Sequence, residues 1–171
     1  MKKIIYGFIA LVALMAFQSC QKDDDEVFEK SAAQRIQEAV DADKALLESA
    51  SNGWEMRYYT GEGYNRGGYT MFMKFVNGKA YVSSDIAPGN MVTESSYDVL
   101  RGEGPVLTFN THNTIMHFLA QPYQDDVTGE QGDYEFVIMR TTQDSIFVKG
   151  RKWGNKMVLT RVDDGKEWKS S

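Results

Sequence analysis

The chain has 171 residues, 42% of them hydrophobic and 25% charged, with 15 Gly, 3 Pro and one Cys. That balance excludes a collagen-like, disulfide-stapled or wholly disordered protein. The formal net charge of −5 argues against a nucleic-acid partner, because phosphate contact needs a concentrated Lys/Arg surface.

Lys2 and Lys3 precede an uncharged run, residues 4–17, that is apolar apart from Tyr6 and Gly7. A membrane-spanning helix needs about 20 apolar residues, so this run is too short and reads as the hydrophobic stretch of a signal peptide. It ends at Phe17-Gln18-Ser19-Cys20, with a small residue directly before the sole cysteine. The arrangement resembles a bacterial lipobox. Phe17 and Gln18 stand where commoner lipoboxes carry Leu and a small residue, a departure tolerated in lipoproteins of the Bacteroidetes. The resemblance implies a diacylglycerol thioether on Cys20, cleavage after Ser19 and acylation of the new amine. Each buried acyl CH₂ contributes about 0.8 kcal/mol, so several chains together anchor stably to a membrane. Lipidation also accounts for an odd thiol in an oxidising compartment.

Lys22 is followed by Asp23, Asp24, Asp25 and Glu26. This run resembles the surface-export signal that Bacteroidetes lipoproteins carry just behind the cysteine. The alternative is a solvated spacer, since like charges repel and stay extended. The expected location is therefore the outer membrane facing the cell surface, with a periplasm-facing position as the alternative.

Residues 31–51 predict one helix. Ser31 and Gln34 are placed for a capping box, and Ile36, Ala39, Val40, Leu46, Leu47 and Ala50 fall on one side at helical spacing. Asn52-Gly53 supplies a left-handed stop. The period then changes to two. Trp54, Met56 and Tyr58 alternate with Glu55, Arg57 and Tyr59, and Tyr69, Met71, Met73 and Phe75 alternate with Thr70, Phe72 and Lys74. Asn77-Gly78 before residues 79–84 is a strong hairpin signal, because both turn positions need positive φ. Further strands are predicted at 95–100, 106–109, 114–119, 134–140, 145–149 and 156–162. The expected fold is mainly β: an antiparallel meander of eight or nine strands, curled or barrel-like, with one N-terminal helix packed on it. The expected organisation is a signal peptide at 1–19, a lipidated tether at 20–30, one domain at 31–162 and a loose polar tail at 163–171.

No residue set carries a catalytic signature. His112 and His117 are five apart, which on a strand puts them on opposite faces and argues against a shared metal. The oxygen-rich segment from Asp125 to Asp133 reads as a solvated loop, with calcium as the lesser alternative. Gly61, Gly63, Gly67 and Gly68 lie between strands, not between a strand and a helix, so they read as a connection in the sheet and not as a phosphate loop. No serine stands in a nucleophile elbow, and no cofactor is expected. Among the aromatics, Tyr59 and Tyr64 beside the Gly-rich connection are the candidates for stacking on a ligand, whereas Trp54, Met56 and Tyr58 read as core.

The order of motifs resembles a group of Bacteroidetes lipoproteins, the domain-of-unknown-function family 4302. The likeness is carried by Phe28-Glu29-Lys30-Ser31 with Arg35, Asn52-Gly53-Trp54 with Tyr58-Tyr59, and Gly68-Tyr69 leading to Lys74-Phe75. It continues through Ser95-Ser96-Tyr97, Pro105-Val106-Leu107-Thr108-Phe109-Asn110-Thr111, Asn113, His117-Phe118, Gly132-Asp133-Tyr134-Glu135-Phe136 and Lys149-Gly150. The resemblance implies a location and a domain type but no chemistry. Its members look longer, so the chain is expected to be an amino-terminal portion or a short member. The expected function is a non-enzymatic surface lipoprotein that binds a glycan or other nutrient or assists an outer-membrane transporter. The alternatives are a carboxylate-dependent hydrolase and a structural subunit of an outer-membrane complex.

Overall fold

A computed structural model describes residues 30–168, apart from 90 and 124. The expectations for Cys20 and for Lys22, Asp23, Asp24, Asp25 and Glu26 lie outside the described residues. The described elements are helix α1 (Ala32–Glu48), strands β1 (Trp54–Thr60), β2 (Gly67–Val76), β3 (Lys79–Ser84), β4 (Thr93–Arg101) and β5 (Pro105–Phe109), helix α2 (Thr114–Phe118), and strands β6 (Glu135–Thr141), β7 (Ser145–Gly150) and β8 (Lys156–Arg161). A short 3₁₀ turn, Glu62–Tyr64, lies between β1 and β2.

The eight strands pair antiparallel in sequence order and β8 returns to β1, closing a barrel. The β2–β3 ladder is set by local chemistry. Between β2 and β3, Asn77 and Gly78 take φ of 50° and 75°, the two positive values that a tight hairpin requires. Alternation then decides the faces. Trp54, Met56 and Tyr58 are buried while Arg57 and Tyr59 are exposed, because successive side chains on a strand point to opposite sides.

An eight-stranded barrel is just wide enough for side chains to fill or for one small ligand to enter. Here side chains fill it. Trp54, Tyr58, Phe75, Phe136, Met56, Met71, Met73, Leu107 and Ile146 are each less than 2% exposed and belong to one continuous core. Methionine suits such a space because its unbranched chain adapts to irregular gaps. The outer wall carries charges instead, among them Glu55, Arg57, Lys156 and the ion pair of Lys79 with Glu94 at 3.0 Å. An apolar inside and a charged outside reverse the pattern of a membrane-spanning barrel.

Both mouths are covered. Helix α1 crosses the end where β1 starts. Its Leu47 carbonyl accepts the Trp54 indole N–H at 2.9 Å, Glu48 accepts the Tyr97 hydroxyl at 2.7 Å, and Lys44 pairs with Asp98 at 2.7 Å. The other end is closed by the connection between β5 and β6. Ile115, Met116 and Leu119 from that connection are buried in the core, and the Tyr58 hydroxyl donates to the Asp133 carbonyl at 2.8 Å.

Two expectations are corrected. Residues 114–119 are predicted as a strand, but Thr114–Phe118 is helical. The reason is Asn113, whose side chain accepts the Met116 amide at 3.1 Å and caps the turn. The same side chain is fully buried and also meets Thr93 Oγ1 at 2.8 Å and Ser95 Oγ at 3.2 Å. The second correction concerns the segment after β8, expected to be loose. Up to Trp168 it is fastened to the barrel. Trp168 stacks on Phe72 with ring centroids 5.9 Å apart and donates its indole N–H to the Asn52 carbonyl at 2.8 Å. Phe72 points outward from β2, yet it is only 3% exposed because this ring covers it.

Asp43 of α1 faces the covered mouth and is 8% exposed. Burial raises its pKa above the ordinary 3.8, opposed by a hydrogen bond with the Thr141 side chain. The unfolded chain therefore loses this proton first. The stability the group contributes is present below the ordinary value and is lost as pH rises through the raised folded value. Asp43→Asn should raise the urea midpoint at about pH 7 and lose that advantage near about pH 3.5. Urea titrations at both pH values check this, and an equal gap at both would contradict it.

Candidate functional site

Because Trp54, Met56 and Tyr58 turn inward, Glu55, Arg57 and Tyr59 line the outer face of β1. Barrel closure lays β8 beside them, with Glu55 opposite Thr160 and Arg57 opposite Val158. The two strands and the segment after β8 enclose a groove of about 520 Å³, whose lining includes Glu55, Arg57, Tyr59, Lys156, Arg161 and Lys166. A second hollow of about 310 Å³ extends it across β1 to Gly68 and Thr70 of β2.

Tyr59 and Tyr64, the two aromatics singled out from the sequence, meet at the end of the groove nearest the β1–β2 connection. Their ring centroids are 5.6 Å apart at 88°, an edge-to-face pair, and they are 37% and 48% exposed. Tyr59 lies opposite Gly68 across the ladder. A Cβ at Gly68 would come within 2.9 Å of Tyr59 Cε1, so the missing side chain is what lets the ring lie over the β2 backbone. Tyr64 is carried by a turn with positive φ at Gly61, Gly63 and Tyr64 itself. Its hydroxyl accepts the Lys156 amide at 3.0 Å.

The β7–β8 turn is stitched to the same place. Asn155 Nδ2 donates to the Gly61 carbonyl at 2.7 Å and to the Tyr59 carbonyl at 3.3 Å. Asp133 supports the turn from behind, its carboxylate accepting the Lys152 amide at 2.7 Å and the Trp153 amide at 3.3 Å. Burial raises the Asp133 pKa and these amides oppose the rise.

The charges of the groove fall into two kinds. Glu55 is engaged by Lys166 Nζ at 2.6 Å. Arg161 stacks on the Trp54 ring at 4.7 Å and donates to the Gln143 carbonyl and Ser49 Oγ, both at 2.8 Å. Arg57 and the Lys156 ammonium, by contrast, are exposed and form no ion pair among the described residues. The groove thus offers the Tyr59 ring, backed edge-on by Tyr64, two uncommitted cations and the Thr160 hydroxyl, with that of Thr70 in the adjoining hollow. Such a wall can stack on a ring and hydrogen-bond hydroxyl or anionic groups.

The remaining sequence candidates lie elsewhere. Because the segment between them is helical, His112 and His117 do not oppose each other across a strand; their ring centroids are 5.1 Å apart, and His117 stacks on Tyr134 at 4.6 Å. Burial, opposed by the Asn113 backbone, keeps His117 below its ordinary pKa. In the acidic loop, Asp126 is held near about 2 by hydrogen bonds from the Thr128 hydroxyl and amide and from Arg66. Among the described residues no three His, Cys, Asp or Glu side chains come together as metal ligands. The Gly-rich stretch connects two strands, as expected. Arg57 and Lys156 are the site residues that sequence reasoning missed. Alternation marks Arg57 as outward, but the pairing of β1 with β8 has no local signal.

A model of a domain of unknown function (DUF4302) matches residues 24–171, and the chain belongs to that family. No curated protein and no solved structure shows significant similarity to it.

Gly68→Ala should destabilise the protein by up to about 1 kcal/mol, the low end of overpacking costs because the Tyr59 ring is half-exposed and can shift, and by clearly less in a Tyr59→Ala background. A double-mutant cycle in urea measures the coupling. Strictly additive costs would show that the ring does not depend on this gap.

Proposed function

We propose that this DUF4302 domain is a non-enzymatic ligand-binding lipoprotein of an outer membrane. On this reading it faces the cell surface and takes up a glycan, alone or as an accessory to a transporter. The observation that carries the proposal is the wall groove with the half-exposed Tyr59–Tyr64 pair, on a barrel whose interior is already filled by side chains. A filled barrel leaves no room for a small ligand inside, so recognition falls to the outside. Sugar rings present C–H faces that stack on tyrosine and hydroxyls that hydrogen-bond with Thr70, Thr160 and the cations. The lipobox-like Phe17-Gln18-Ser19-Cys20 and the acidic run behind it support the anchored location.

Two experiments test the parts separately. The full chain, in detergent, should be retarded in native gels that contain a bound polysaccharide, and Tyr59→Ala should weaken that retention about tenfold. Mobility unchanged by every polysaccharide would defeat the glycan reading. For the anchor, Cys20→Ala should move the protein out of the membrane fraction of its native host. A variant that stays in the membrane would show that Cys20 is not the attachment point.

A further inference from the structure

The β7–β8 ladder contains an arrangement that folding alone does not favour. Lys149 and Lys156 stand directly opposite each other. Both are exposed, and neither ammonium forms an ion pair among the described residues. Like charges directly opposite in an antiparallel pair are destabilising. Arg57, equally unpaired, is on the neighbouring strand β1, opposite Val158, which in turn lies opposite Phe147 of β7. Arg140 of β6 lies over the Phe147 ring at 4.1 Å. Four cations therefore share one continuous stretch of wall across β1, β8, β7 and β6, interleaved with apolar side chains, next to Tyr59. The chain as a whole is acidic, so this stretch is a local reversal of sign and not an overflow of general basicity.

We infer that the ligand of the groove is an acidic polysaccharide, whose carboxylate or sulfate groups are bound by Arg57, Lys156 and Lys149 while a sugar ring rests on Tyr59. This rests on the glycan-binding reading above and adds the class of glycan. Bound anions would relieve the Lys149–Lys156 repulsion, so the cost built into the free wall returns as affinity. An acidic glycan fits better than a nucleic acid. Nucleic-acid backbones carry charge at every nucleotide and bind through dense cationic surfaces, whereas this groove also holds Glu55 and Asp163, which would repel a densely charged polymer. Sparse anions between hydroxylated rings match the mixture.

The test compares polymers that share a backbone and differ in charge. The full chain in detergent is run against polygalacturonate and its methyl-esterified form, and against dextran sulfate and dextran. The charged member of at least one pair should hold the protein more than tenfold more tightly. That preference should fade as salt is raised from about 0.05 to about 0.5 M. Arg57→Gln, Lys149→Gln and Lys156→Gln should each cost about threefold, as expected of exposed charge pairs. Neither Lys149→Gln nor Lys156→Gln should lower the urea midpoint, since removing one of two facing lysines removes a repulsion.

Equal retention by charged and neutral members, with Tyr59→Ala still weakening both, would overturn the acidic class and leave the glycan reading standing. No retention by any polymer would remove both. A labelled single-stranded oligonucleotide bound as tightly as the acidic polymer would reduce the wall to a general polyanion surface and overturn the proposal.

Discussion

The pairing of β1 with β8 is the constraint on which the rest of the structure depends. It is a short ladder, from Trp54 opposite Arg161 to Arg57 opposite Val158, and it joins segments about a hundred residues apart in the chain. Without it the meander would be an open sheet with two bare edges, a template for pairing with other chains. The same ladder brings Arg161 over Trp54 and seals that indole beneath a guanidinium. It also forms the groove, because Glu55, Arg57 and Tyr59 come from one partner and Lys156, Val158 and Thr160 from the other. Fold and candidate site are therefore two outcomes of one contact.

A second constraint follows from the interior. Large aromatic and methionine side chains fill the barrel, and a helix at one end and a long connection at the other close it. Interiors packed in this way tolerate little change in volume, so the inside is committed to stability. On the proposed reading, recognition falls to outward positions, where side chains can vary without disturbing the core. The segment after β8 contributes to both sides of this division. Trp168 covers Phe72, and two residues earlier Lys166 reaches Glu55 in the groove.

The legible parts of the fold were those with local causes. Alternation placed the strands, Asn77-Gly78 placed a hairpin, and the helical spacing of Val40 and Leu47 placed the packed face of α1. The failures also have physical reasons. Residues 114–119 are apolar and short, and the cap at Asn113, held by Thr93 and Ser95 from another strand, turned them into a helix against their strand-like composition. Residues 163–168 look polar and unfastened, but Trp168 finds Phe72 on the outer face of β2, beyond β1. The site was half legible. Tyr59 and Tyr64 were visible through exposure and the neighbouring glycines. Arg57, Lys149 and Lys156 were not, because their grouping arises from the register of β8 against both of its neighbours.

The position of the groove on the wall has a geometric consequence. A pocket at a barrel mouth accepts a ligand by its tip, so a long polymer would have to offer a free terminus. A groove on the flank is open along its length, and on the proposed reading it would grip a strand of sugars anywhere in its middle. Many copies could then occupy one polymer side by side, and each would add to the hold of the others through high local concentration.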